Sequence, residues 1–485
     1  MVSGTITVAN VAESIKERIM AENITASTMT ENIAKSMAER TGSDITENVT
    51  KRNVPSVTLR AALCMTRQCW EQGMLAYSLL RSIAPVETDL QREREPEGEL
   101  WEILKMIVYD MVLRQSGDGR LCNVEDTPAV TDSAFCIPAV LAVGEALGNE
   151  TFNGQAFNAP SGLSSLEGCG NKSGNSADSV RGTGLPADEA MAKDTFIRAA
   201  QKNAEYLLKD APRTEDGILY HMRGTTQIWA DSAAFLPYAL VITGHPKEGY
   251  QQMIGILGRL YLRESGLYAH IWDEESRSYP DRNAWSIGVG WILTGLERTW
   301  RVLPDEMERE RADLKERFVS LMERVLPYQC EDGGFHDVMD DPSTYMETEA
   351  PAMIACAIYA GIRDGILDDE TDEADNGELP EKSVNRGYGI LDDETDETDK
   401  IDGTGETTGK ERSCQQIPAA DRGNRRTLHL DELLDQADAM TAYVENKILP
   451  DGRVTDAAAS PAFDRPGTSV ECQAHAWVLP LLSYR

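Results

Sequence analysis

Three short runs between Trp229 and Trp291 set side chains that can do chemistry beside side chains that can hold a flat apolar ligand. They read Trp229-Ala-Asp231-Ser-Ala-Ala-Phe235-Leu-Pro237, Leu267-Tyr-Ala-His270-Ile-Trp272-Asp273 and Trp285-Ser-Ile-Gly-Val-Gly290-Trp291. Asp231 is an acid flanked by an indole, His270 stands two residues from another, and glycine lies between two more. Sugar rings are held by flat aromatic faces and a few well-placed polar groups, so this stretch has the makings of a carbohydrate pocket. Asp231 is the residue assigned the chemistry.

The surroundings of Asp231 recur upstream. Thr131-Asp132-Ser-Ala-Phe135-Cys-Ile-Pro138 has the same order of Asp-Ser-Ala, a phenylalanine, and a proline six residues after the acid. Each copy opens an apolar helical stretch. An aspartate at a helix start also has a plain structural use, the capping of free backbone N–H groups. Two such acids in matched settings, one beside Trp229, shift the balance toward a shared site. Equivalent positions of repeated helical hairpins face the same end of a central cavity, so Asp132 and Asp231 are expected to converge there.

Helices must do the positioning. Leu59 to Leu80 carries Ala62, Leu63, Trp70, Met74, Leu75 and Leu79 around much of its girth, as a buried helix does, while Glu99 to Gln115 keeps its apolar residues on one stripe. Together they make a helical hairpin. The alternation continues through Asp132–Leu147 and Ala187–Lys209, Asp231–Thr243 and Tyr250–Arg263, Ser286–Thr299 and Pro304–Leu326, Glu347–Gly361 and Leu428–Leu449, with Ser469–Tyr484 as a last buried helix. With an N-terminal helix to close the ring, this gives about twelve helices in six hairpins. Hardly any segment alternates with strand period, so the expected class is all-α, an (α/α)6 toroid spanning residues 53–485. Residues 1–52 are polar and threonine-rich, with marginal amphipathic helices at most. Two stretches interrupt the toroid: a Gly/Ser/Ala/Asn-rich insertion at about 153–185 and a second at about 364–415. The latter holds a tandem duplication, Gly365-Ile-Leu-Asp-Asp-Glu-Thr-Asp-Glu returning from Gly389. It lacks the glycine and terminal glutamate of an EF-hand loop and is expected to be a solvated acidic insert.

The net charge of −34 argues against nucleic acid and against an anionic membrane surface as partners, since both would repel the chain. The N-terminus lacks a basic start followed by an apolar core, and no run approaches the roughly 18 to 20 apolar residues of a membrane-spanning helix, so a cytoplasmic protein is expected. Nine scattered cysteines agree. Cys64, Cys69, Cys136 and Cys356 lie in apolar helical stretches as reduced hydrophobes, and no set has zinc-ligand spacing. No metal site and no cofactor are expected.

The chain resembles the unsaturated glucuronyl and unsaturated rhamnogalacturonyl hydrolases, six-hairpin glycosidases. The resemblance rests on the order of five motifs: Cys69-Trp-Glu-Gln-Gly73, Trp229-Ala-Asp231-Ser, Tyr268-Ala-His270-Ile-Trp-Asp273, Trp285 through Gly290-Trp291, and Asp332-Gly-Gly-Phe-His-Asp-Val-Met-Asp340 leading into Tyr345-Met-Glu-Thr-Glu-Ala-Pro-Ala-Met353. The last looks like a glycine-aromatic turn followed by a Glu-Thr-Ser or Glu-Ser-Ser helix start. The resemblance implies a small oligosaccharide substrate that a polysaccharide lyase of the pectin or rhamnogalacturonan kind has left with an unsaturated uronic acid at its non-reducing end. The C4–C5 enol ether would be hydrated, with Asp231 as the acid that protonates C4 and Asp132 beside it. His270 would touch the substrate near the scissile bond, or else serve as a hydrogen-bonded structural histidine. Trp229 and Trp285 would be sugar platforms, with Trp291 behind them and Tyr220 and His221 at the rim. One position departs: an arginine of the rhamnogalacturonyl type is replaced by Ile287, which cannot offer a guanidinium fork to a carboxylate. Arg223, Arg277 or Arg282 would then have to bind the carboxylate. The alternative is a toroid without uronyl hydrolase activity, a binding module or an enzyme of a non-uronate substrate.

Overall fold

The computed structural model describes residues 57–83, 98–122, 127–147, 193–368, 428–459 and 462–483. The N-terminal segment 1–52, the insertion at 153–185 and the acidic repeat beyond residue 368 lie outside the described residues.

Twelve α-helices are found among the described residues. In chain order they are α1 (Val57–Met65), α2 (Cys69–Ile83), α3 (Glu99–Leu113), α4 (Ile137–Ala146), α5 (Lys193–Glu205), α6 (Ser232–Ile242), α7 (Pro246–Leu260), α8 (Ser286–Val302), α9 (Glu308–Val325), α10 (Glu349–Asp364), α11 (Leu430–Glu445) and α12 (Val470–Leu482). The even-numbered helices form an inner ring: α2 packs on α4 and the 3-10 turn Asp132–Cys136 before it, that turn on α6, α6 on α8, α8 on α10, α10 on α12, and α12 back on α2. Each inner helix has one outer partner, α3, α5, α7, α9 and α11 for the first five and α1 for α12. The sequence explains the division. Nearly every residue of α8 is buried, so it can only be an interior element. By contrast α9 buries Arg311, Leu314, Phe318, Leu321, Met322 and Val325, one stripe at helical spacing, and leaves its other charges to water.

The expected single helix from Leu59 to Leu80 is two helices, and the first of them is the outer helix that closes the ring. The break falls on three polar residues, Thr66-Arg67-Gln68, too few to stand out from the polar positions of an ordinary helix. What stops α1 and restarts α2 is polar: Thr66 Oγ1 donates to Ala62 O at 2.6 Å, and Glu71 Oε2 accepts from the Gln68 backbone N–H at 2.7 Å. Asp132–Leu147 likewise begins as a 3-10 turn, because Pro138 has no N–H to continue an α-helical ladder.

Short strands in the connections were not expected. β1 (Gln227–Trp229), β2 (Ile271–Asp273) and β3 (Ser278–Asp281) form an antiparallel sheet in that order. β4 (Phe335–His336) pairs with β5 (Met346–Glu347), and β6 (Ala457–Ala459) with β7 (Ala462–Gly467). Cys64, Cys69, Cys136 and Cys356 are free thiols as expected, whereas Cys330 is disulfide-bonded. No helix of the described residues is long and apolar enough to cross a membrane.

Two inner helices touch backbone to backbone. A Cβ on Gly295 of α8 would lie 2.1 Å from Ala233 O of α6. Pro237 has no N–H, so that carbonyl also lacks its usual helical donor, and a Cα–H approach suits it. Gly295→Val is expected to lower stability by about 3 kcal/mol through overpacking. Gly258→Ala, on the exposed side of α7 with nothing within 4 Å, should raise it by about 0.5 to 1 kcal/mol. Urea unfolding of both variants checks the pair.

Candidate active site

The inner helices all present their first turns to one end of the ring, around a cavity of about 370 Å³. Trp70 comes from α2, Asp132 from the turn before α4, Asp231 from the start of α6, Ile287 from α8, Glu349 from α10 and Glu471 from α12. This is the convergence expected of Asp132 and Asp231, extended to every hairpin. Trp229, Trp285, Phe463 and His221 also line the cavity, whereas His270, expected to touch the substrate, does not line it and is 3 % exposed.

Asp231 stands at the N-cap position of α6 but makes no side-chain cap hydrogen bond. Its carboxyl is therefore not spent on the helix. About 16 % of the side chain remains exposed, while Oδ2 is buried without a hydrogen-bond partner, 3.8 Å from His270 Nε2. The β1–β2 register sets this approach: Trp229 pairs with Ile271, and Ala230 N donates to His270 O at 3.0 Å. His270 Nδ1 lies 2.9 Å from Asp281 Oδ2 on β3. Burial works against ionisation of Asp281, but the His270 hydrogen bond holds its carboxyl below the usual range. An ionised Asp281 can only accept, so Nδ1 donates to it and Nε2 is the ring nitrogen that faces Asp231, without a hydrogen-bond partner. Burial raises the Asp231 carboxyl, and His270 offsets part of that rise.

Asp132 is 5 % exposed, and neither it nor Thr131 caps the turn it opens. Burial, and after it the charges of Asp231 and Glu471, push its carboxyl up to about 8. His221 Nε2 is 3.5 Å from Asp132 Oδ1, and His221 Nδ1 lies 2.9 Å from Thr131 Oγ1 and 3.0 Å from Ser232 Oγ. Burial drives the His221 ring down to about 3, so it is neutral. Trp229 stacks on it at 4.5 Å and 13° and is fixed by an Nε1–H bond to Gln227 Oε1 at 3.0 Å. His270 sits between Trp229 and Trp285, with centroids at 5.4 and 4.4 Å.

The other expected residues divide. Trp291 reaches the cavity but packs chiefly inward, edge-on to Phe135 at 5.8 Å and Phe235 at 5.2 Å. Arg223, Arg277 and Arg282 do not line the cavity. Arg223 is bonded to Asp118 and the Tyr206 hydroxyl, Arg282 donates to Glu264, and Arg277 is exposed. None of the described lining residues is a lysine or arginine. Among the lining residues not expected are two acids and an aromatic, Glu349, Glu471 and Phe463. Glu349 lay in view in the run Tyr345-Met-Glu-Thr-Glu, an acid at the first residue of its helix. Glu471 follows the same logic at α12. Phe463 had no local signal: it enters from the β6–β7 hairpin, 5.3 Å from Trp285 and 6.5 Å from Trp229. Among the described residues no group of three or more His, Cys, Asp or Glu could hold a metal ion. What the site can do is deliver and recover a proton in an apolar, sugar-sized space.

Residues 185–377 match the model of Glycosyl Hydrolase Family 88. The chain is 26% identical over 199 residues to the unsaturated rhamnogalacturonyl hydrolase YesR of Bacillus subtilis. That match covers 38% of this chain and 56% of the relative, so the chain spans little more than half of the relative's length. Among solved structures, it is similar to a possible member of family GH105 from Salmonella enterica serovar Paratyphi A, with TM-score 0.54 and 15% identity over 86% of this chain and 82% of that one. A family 105 glycoside hydrolase of C. acetobutylicum gives TM-score 0.53 at 13% identity over 89% and 99% of the two chains. At such identities the likeness shows the fold, which is the six-hairpin (α/α)6 toroid. The resemblance carried by the five motifs is to the same families.

Folded Asp132 holds its proton up to about pH 8, against an ordinary value of 3.8. Between those pH values the folded chain binds a proton that the unfolded chain has released, so stability falls as pH rises through the window. Asp132→Asn should flatten that fall by up to about 1.4 kcal/mol per pH unit. Denaturant midpoints across the window measure it, and an unchanged slope would count against a protonated Asp132.

Proposed function

We propose that this protein is a glycoside hydrolase that removes an unsaturated uronic acid from the non-reducing end of lyase-generated oligosaccharides, of pectin or rhamnogalacturonan type. The observation that carries this is Asp231: an acid raised by burial, its Oδ2 unpartnered and 3.8 Å from a bare imidazole nitrogen, inside an aromatic cavity of sugar size. The match to Glycosyl Hydrolase Family 88 and the name of the Bacillus subtilis relative support the substrate class.

The uronic acid ring lies against Trp229, whose position Gln227 and the β1–β2 register fix, and against Trp285. Protonated Asp231 gives its proton to C4 of the C4–C5 double bond. The positive charge that develops at C5 is shared with the ring oxygen. Water adds at C5 and loses its proton to the Asp231 carboxylate, which restores the acid. The product is a hemiketal. Its ring opens to a ketone at C5, and the hemiacetal exposed at C1 then expels the neighbouring sugar, so that one water has been consumed in all. The aromatic walls serve the first step by keeping Asp231 protonated. His270, held by Asp281, sets its Nε2 beside Asp231 and so positions that carboxyl. Asp132 stays uncharged next to His221 and adds no second negative charge to the cavity.

Purified protein is expected to bleach the ultraviolet absorbance of an unsaturated uronide disaccharide as the conjugated double bond is consumed. Asp231→Asn should slow the bleaching by about 10²- to 10⁴-fold, the usual contribution of a positioned general acid and base. A wild type that leaves the absorbance unchanged on rhamnogalacturonan, glucuronan and glycosaminoglycan disaccharides would sink the proposal in favour of a ligand-binding toroid.

A further inference from the structure

Two acids of the cavity, Glu349 and Glu471, have no part in the chemistry just described, and Glu349 is the one with an unpartnered oxygen. Glu349 opens α10, lines the cavity and is 2 % exposed. Its two oxygens are treated differently. Oε2 accepts a hydrogen bond from Ser469 Oγ at 2.7 Å, and Ser469 is itself held as the cap of α12, its Oγ accepting from Cys472 N at 2.9 Å. Oε1 has no hydrogen-bond partner. His475 Nδ1 comes within 3.6 Å of it, but its hydrogen bond, at 3.0 Å, is to the Glu471 carbonyl, and burial drives that ring down to about 3.

The groups that face Glu349 supply no positive charge. Asp231 comes from α6, Glu471 and the neutral His475 from α12, and Tyr345 and Glu347 from the approach to α10. Glu347 is occupied in capping, accepting from Glu349 N, Ala350 N and Ala458 N. On the adjoining inner helix α8, Ile287 lines the same cavity. A buried carboxyl so placed keeps its proton: burial raises it well above the usual range, the Ser469 bond draws it back, and the charge of Asp231 pushes it up again. With Oε2 already accepting from Ser469, Oε1 is the oxygen left to carry the proton, unpartnered on a residue that lines the cavity.

We infer that Glu349 is a substrate-binding residue whose Oε1–H donates a hydrogen bond to the carboxylate of the sugar acid, serving where Ile287 offers no guanidinium. The inference rests on the hydrolase reading of the site. A neutral acid donating to a carboxylate is a charge-assisted bond, short and strong, and it needs no buried cation. It also fails in one direction only, since an ionised Glu349 repels the anion it formerly held.

The test follows KM and kcat against pH for the unsaturated disaccharide and for its carboxyl methyl ester. For the wild type, KM for the acid should rise above neutral pH, by at most about tenfold per unit for a single proton, while KM for the uncharged ester stays flat. Glu349→Ala should raise KM for the acid about tenfold or more below neutral pH, with a smaller effect on kcat, as expected for a lost bond to a charged group. Glu349→Gln cannot ionise and keeps an N–H donor, so it should recover part of that loss and lessen the alkaline rise, leaving only what Asp132 and Glu471 contribute. Melting temperatures report folding, and if the alanine variant does not fold the glutamine variant decides alone. An alkaline rise as steep in Glu349→Gln as in the wild type, or an unchanged KM in Glu349→Ala, overturns the inference while leaving the hydrolase intact. A wild type that turns over neither compound removes the reading on which it rests, and the inference with it.

Discussion

Asp132, Asp231, Glu349 and Glu471 open onto one cavity, and no lysine or arginine among the described residues lines it. The character of the site follows from the free energy needed to charge such groups away from water. Carboxyls in an apolar enclosure remain acids, and a second charge beside the first is costlier still, so the cluster stays mostly protonated as a set. On the proposed reading the aromatic walls therefore do two jobs: they would offer faces to a sugar ring and keep Asp231 loaded as its proton donor.

The two histidines show how partners, more than residue type, set the state of a side chain. His270 donates from Nδ1 to an ionised carboxylate, which fixes the orientation of the ring and leaves Nε2 facing Asp231. His221 has two hydroxyls on Nδ1, and hydroxyls can give or take a proton, so its tautomer follows the other neighbour, Asp132. One imidazole is a fixed support and the other is adaptable.

Much of this was legible in the sequence because it repeats. The matched surroundings of Asp132 and Asp231 placed both acids at one end of a ring, and alternation of buried and striped helices gave the toroid. The break between α1 and α2 was not legible, since the three polar residues Thr66–Gln68 do not stand out from the polar positions of an ordinary helix and only side-chain capping by Glu71 divides it. Glu349 stands in view at a helix start, but Glu349-Ala-Pro351 lacks the Asp-Ser-Ala and the later proline that tie Asp132 to Asp231. Phe463 could not be found at all, because a hairpin tip is brought to the cavity by tertiary packing. The three arginines failed for the complementary reason: nearness in sequence to Ile287 says nothing about direction, and Arg277 and Arg282, at the β2–β3 turn and just after β3, lie away from the cavity.

The backbone contact of Gly295 with Ala233 has a consequence for how such a site can change over evolution. Helices that meet without intervening side chains have no slack, so α6 and α8 hold the starts of their first turns at a set separation whatever residues occupy them. The ring then behaves as a rigid hoop with six sockets. Exchanging the contents of one socket, isoleucine for a cation or glutamate for a hydroxyl, retunes which ligand charge is welcome while Asp231, one or two sockets away, keeps its place. A new substrate preference becomes a matter of single substitutions, with no need for the frame to move.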